Sequence, residues 1–166
     1  MVDVFISYSR LNQDRVRVLA AAVARLGYAV WWDAELPPHK SYGDVITEKI
    51  GMARAAIVVW SGSAVESEWV RAEADVARNQ KKLVQTAIDD VMPPMPFNQI
   101  QFAQLKDWNG EDDHPGWRKV RASLADLRER DRQRSDDDHR DRASDDQLDE
   151  REARVPRSME AATTAR

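Results

Sequence analysis

The chain has 166 residues, 33% of them charged, with a formal net charge of -4. That length suits one domain with a real core rather than two, and the acidic balance argues against a general nucleic-acid binder. The absence of cysteine excludes disulfides, thiolate nucleophiles and cysteine-held metal; Asp3 and the polar Ser7–Arg10 argue against a signal peptide, and no apolar run reaches membrane-spanning length. A cytoplasmic protein with no membrane partner is expected.

Val4 to Tyr8 reads as a buried strand. Val16, Leu19, Ala20 and Val23 fall at i, i+3, i+4, i+7, one face of a helix that Gly27 ends. "YAVWWD" (28–33) is a second strand, in which Trp31 and Trp32 point to opposite sides. "AELPPHKSYG" (34–43) is a loop, because Pro37 and Pro38 forbid helix. "DVITEKIGMA" is a short helix with Asp44 in the N-cap position. "AAIVVWS" (55–61) is an apolar strand of the kind found at the centre of a parallel sheet. In "WSGS", Gly62 makes a turn and Ser63 caps the next helix, whose face is lined by Trp69, Ala72 and Val76. "LVQTAI" (83–88) is a fourth strand, "MPPMPFNQ" a connector, and "IQFAQLKDW" (100–108) holds a fifth strand. Trp117, Val120, Leu124 and Leu127 mark a closing helix.

Composition changes near Arg130. Residues 131–166 are nearly free of large apolar groups, and such a segment cannot bury enough surface to offset its ordering entropy. A solvated, disordered tail is expected there, with a helix held by mixed charges as the weaker alternative. Strands alternating with helices predict an α/β fold, a five-stranded parallel sheet covered on both faces in flavodoxin-like order. Functional groups in such sheets gather beyond the carboxyl ends of the strands. Tyr8, Ser9 and Arg10 stand at the first such end, Asp33 at the second and Ser61 at the third.

Chemistry is sparse in the remaining motifs. There is no G-x-G-x-x-G and no G-x-x-x-x-G-K-[ST] phosphate loop. His39, His114 and His139 lack metal-ligand spacing, so no metal is expected. "ESEWVRAEADVA" (66–77) places Trp69 and Glu73 at i, i+4 on one helix side, one turn into the helix near the crevice. By residue physics alone, Glu73 reads as an exposed helical acid paired with Lys or Arg, with a crevice acid as the alternative. Arg10 has a surface ion pair as its alternative, Tyr8 a core position with a bonded hydroxyl, Asp33 a turn cap, and Trp69 plain packing.

"DVFISYSR", "VWWDAELPPHKSYGDVITEKI", "AAIVVWSGSAVESEWVRAEADVA" and "PFNQIQFAQLKDW" together resemble a bacterial Toll/interleukin-1 receptor (TIR) domain over residues 1–130. The resemblance implies a three-layer α/β/α fold and a covering loop at 34–43. It further implies an enzyme that cleaves NAD+ between nicotinamide and ribose, with NAD+ as substrate and no cofactor. Glu73 matches the family's catalytic glutamate in W-x-x-x-E, and Trp69 its tryptophan. Tyr8, Ser9, Arg10, Asp33, Tyr42 and Ser61 match pocket positions, with Arg10 suited to pyrophosphate. His39 departs from the pattern, standing where the loop usually has glycine. Other copies of the domain and an activating partner protein are the expected partners, and prokaryotic antiviral defence the expected setting. A purely associative signalling module is the alternative. A phosphoacceptor receiver domain is excluded, because the third strand ends "VVWSGS" without an aspartate.

Overall fold

The run "AAIVVW" becomes the centre of the sheet because every one of its side chains finds an apolar neighbour. The computed structural model describes residues 2–32 and 42–153, and side chains within them other than those of Tyr42 and 144–153. Strands β1 (Val4–Ser7), β2 (Val30–Trp31), β3 (Ala55–Trp60), β4 (Leu83–Ala87) and β5 (Phe102–Gln104) form one sheet in the order β2-β1-β3-β4-β5. All four pairings are parallel. All six β3 residues are buried, as a strand covered on both faces requires. This is the flavodoxin-like order, and the α/β class follows from it.

Period-two alternation divides the core. Val4 and Ile6 of β1 join Ile57 and Val59 of β3 in one cluster. Helix α1 (Gln13–Arg25) and helix α4 (Pro115–Ala153) cover it through Val16, Leu19, Val23, Trp117, Val120 and Leu124, with Leu127 half-buried beside them. Phe5, Val58 and Trp60 face the other way, against helix α2 (Tyr42–Met52) and helix α3 (Glu68–Asn79). Trp31 stacks on Phe5 at 5.1 Å, while Trp32 packs with Tyr8 on the α1 side. The two tryptophans therefore lie on opposite sides, as the alternation predicts. Helix α1 stops at Gly27, whose φ of +90° no branched residue adopts without strain.

Three local expectations change. The second strand pairs over two residues, with Ala29 supplying a carbonyl to the Asp3 and Val4 amides just before it. Helix α2 begins at Tyr42, so Asp44 lies inside its first turn rather than at the N-cap; there its charge still suits the positive end of the helix dipole. Residues 131–153 are helical where a disordered tail is expected. Their arginines and aspartates interleave so that pairs such as Arg140 and Asp137 approach at i, i+3. Residues 154–166 of the expected tail lie outside the described residues. By internal contacts the chain divides into residues 1–129 and 130–166.

Gly116 is held at its position by space. A Cβ there would lie 2.0 Å from the Gln104 carbonyl oxygen. Gly116→Ala should therefore lower the unfolding free energy by about 2 kcal/mol or more in urea titration. Gly51→Ala, in α2 with open space around it, should instead raise it by about 0.5–1 kcal/mol.

Candidate active site

Two elements converge on one buried acid. On β1, Phe5 and Ser7 point to the same face of the sheet. On α3, Glu73 and Ala77 lie one turn apart on the same side. Two residues of strand and four of helix both advance about 6 Å, so the two pairs meet rung by rung. Phe5 and Ala77 share an apolar cluster. One rung further along, the Ser7 hydroxyl donates a hydrogen bond to Oε2 of Glu73. Ser7 is 2% exposed and Glu73 7%. Helix α3 is started by Ser67, whose hydroxyl accepts the Val70 amide at 3.3 Å. Ser67, not the expected Ser63, is therefore the cap.

The inward face of α3 is Val70, Glu73, Ala74 and Ala77, at i, i+3, i+4, i+7. The expected face of Trp69, Ala72 and Val76 is rotated by about one position. Trp69 is 57% exposed, Ala72 exposed and Val76 half-buried. An apolar-face reading follows apolar residues, and here an acid occupies one of the inward places. Burying a carboxylate costs several kcal/mol unless donors offset it. Packing alone would fill that place with an aliphatic side chain.

Beyond the strand ends, polar groups tie three segments together. Arg10–Asn12 forms a 3-10 turn two residues after β1. The Asn12 amide oxygen accepts from Ser61 Oγ at 2.7 Å and from Ser63 Oγ at 3.1 Å. Ser61 Oγ in turn accepts the Ala64 amide at 3.0 Å. Asp89, after β4, accepts the Gly62 amide at 2.9 Å and pairs with Arg15 of α1 at 3.3 Å. The same guanidinium donates to the Ile88 carbonyl at 2.5 Å and to the Lys106 carbonyl at 2.9 Å. At the end of β5, the hydrogen bond and charge of Asp90 hold the Lys106 ammonium above its ordinary pKa.

The sequence-predicted residues distribute unevenly. Glu73 is buried on the inward face of α3. Ser9 precedes the 3-10 turn and accepts the Asn12 amide through its carbonyl at 2.8 Å; Arg10, in that turn, is exposed. Tyr8 turns its ring away from α3, half-buried on the α1-side cluster and 6.0 Å from Trp32, because strand alternation puts it opposite Ser7. Ser61 is fully buried and spends its hydroxyl on Asn12 and Ala64. Tyr42 is the first residue of α2. Asp33 and His39 lie outside the described residues. Ser7, Asn12 and Asp89 were not singled out by sequence reasoning. For Ser7 a signal existed: one hydroxyl ends an otherwise apolar strand, on the face that Phe5 shares. Among the described residues, no group of three His, Asp or Glu is placed to hold a metal ion. No helix there is long and apolar enough to cross a membrane.

Residues 4–120 match the family model of the TIR domain. Among solved structures, the TIR domain of the Toll-related receptor TRR-2 from Hydra magnipapillata superposes with a TM-score of 0.66 at 16% identity, over 75% of this chain and 99% of that one. The metazoan TIR-STING receptor from C. gigas, in complex with 2′,3′-cGAMP, superposes with a TM-score of 0.59 at 22% identity, over 73% of this chain and 38% of that receptor. At such identities the likeness is one of fold. No curated protein matches this chain.

Ser61→Ala should remove the acceptor for the Ala64 amide and one donor to Asn12 at a fully buried place. Thermal and urea unfolding should show a loss of about 1–3 kcal/mol.

Proposed function

This chain belongs to the TIR domain family, and on that premise we propose that it is an NAD+ glycohydrolase or cyclase with Glu73 as its catalytic carboxylate. The supporting observation is the burial of Glu73 against the Ser7 hydroxyl at the carboxyl end of β1. A surface acid would need no such place, and a core residue would need no charge.

The chemistry asks for one carboxylate. Nicotinamide leaves NAD+ as a neutral ring from a cationic pyridinium, so no acid has to protonate it. One of the two carboxylates of an ordinary glycosidase becomes unnecessary. What develops is an oxocarbenium-like ribosyl centre, and a fixed anion beside it in a low-dielectric setting stabilises that charge. Water as acceptor yields ADP-ribose; an atom of the same nucleotide yields a cyclic ADP-ribose. Arg10, exposed in the turn after β1, suits the pyrophosphate. Ser9, Asp33 and Tyr42 remain proposed pocket groups. Ser61 and Tyr8 contribute from behind, Ser61 by fixing the turn after β3 and Tyr8 by packing beside Trp32. NAD+ is an intracellular substrate, so the cytoplasm is the proposed place of action and defence signalling the proposed setting.

Trp69 bears on regulation. It lies one turn before Glu73 and is 57% exposed, which leaves this wall open to water among the described residues. A neighbouring copy docked there would close it, and self-association is therefore part of the proposal.

Purified protein should release nicotinamide from NAD+ at a specific activity that climbs with protein concentration. Glu73→Gln should lower kcat by about 10²-fold or more. Equal rates in the two proteins would overturn the assignment of Glu73. No release at any concentration would leave an associative TIR module as the function. Arg10→Ala should raise KM about tenfold with the melting temperature unchanged.

A further inference from the structure

Glu73 sits second turn into a helix and its carboxylate ends three torsions from the backbone. The last of these torsions is broad for glutamate. Burial alone does not choose a plane for the group, so a stabilising anion in that position needs something to orient it. On the opposing strand, Ser7 is a donor suited to the purpose: its Oγ donates to Oε2.

We infer that Ser7 is a positioning residue for Glu73, fixing the plane of its carboxylate toward the reacting ribose. The inference rests on the reading of Glu73 given above. Its physical basis is rigidity. Ser7 belongs to β1, a strand paired on both sides, and is itself in register with Val58 of β3. Its side chain has a single torsion and is 2% exposed. Phe5, two residues back, shares a cluster with Ala77 and Ile50, so the strand cannot slide along α3 without breaking apolar contacts. A planar carboxylate with one oxygen anchored to such a frame has its second oxygen placed as well. Sites built on strands and helices hold this geometry more closely than sites on loops.

The alternative explanation is that Ser7 merely solvates a buried charge. The two differ in what removal does. A solvating role changes how much protein is folded; a positioning role changes the rate of the folded protein. Misplacing a reacting group by about 1 Å costs about 100-fold in rate.

The experiment compares wild type, Ser7→Ala, Ser7→Cys and Ser7→Thr with Glu73→Gln as the reference for lost chemistry. Nicotinamide release is measured over a range of NAD+ concentrations, and kcat is expressed per folded molecule from circular dichroism. Ser7→Ala deletes a single oxygen and should lower kcat by about 10- to 100-fold with KM within about twofold. Ser7→Thr restores the donor and should recover most of kcat. Ser7→Cys adds less bulk than threonine and keeps a weak donor, and it should fall between, which decides the matter where the extra methyl of threonine prevents folding. A folded Ser7→Ala with wild-type kcat overturns the inference while leaving Glu73 intact. A loss of kcat in Ser7→Ala that neither Thr nor Cys recovers, in folded protein, also overturns it. Wild type that releases no nicotinamide overturns the Glu73 reading and this inference together.

Discussion

Burial of the Glu73 carboxylate against the Ser7 hydroxyl couples α3 to β1, and the two elements can meet there in only one register. Shifting the strand by one residue would turn Ser7 to the α1 side and bring an aliphatic side chain against the acid. The apolar contacts that enforce the register are independent of the polar one. Phe5 packs with Ile50 and Ala77 below it, and Val58 and Trp60 pack with Val70 and Ala74 beside it. The core thus positions the acid, while the acid itself is an electrostatic cost that the core carries.

A second set of polar contacts ties together the segments beyond the strand ends. Asn12 joins the turn after β1 to the turn after β3. Asp89 and Arg15 join the end of β4 to the β3 turn, to α1 and to the start of the segment after β5. Four strand ends are therefore linked by side chains rather than by the backbone ladder. In a parallel sheet the carboxyl edge is where the ladder stops, and a rigid pocket there has to be built by such links. Arg10 stands in the turn that Asn12 ties down, which fixes the backbone from which its exposed side chain extends.

Much of the architecture was legible in the sequence. The apolar run 55–60 announced a central strand, and Val16, Leu19, Ala20 and Val23 announced the buried side of α1. Tail and site were harder. Interleaved arginine and aspartate read as unstructured because they bury nothing, yet they permit i, i+3 pairs that support a helix. On α3 the residue types misled: Trp69 looks like core and Glu73 like surface, and the structure reverses both. Propensity and hydropathy treat an acid as outward-facing, so a buried functional acid violates the pattern by its nature. The resemblance to TIR domains pointed to Glu73; its partner Ser7 emerged only from the structure, where it shares the Phe5 face of β1.

If the Ser7–Glu73 pair exists for chemistry, the fold should not need it. The direct test is urea unfolding of the double variant Ser7→Ala/Glu73→Met, which replaces both polar partners with apolar atoms of similar volume. The account predicts an unfolding free energy within about 1 kcal/mol of wild type, or above it, since a matched apolar replacement removes the desolvation cost along with the hydrogen bond. A loss of more than about 3 kcal/mol would contradict it, marking the pair as part of what holds β1 to α3.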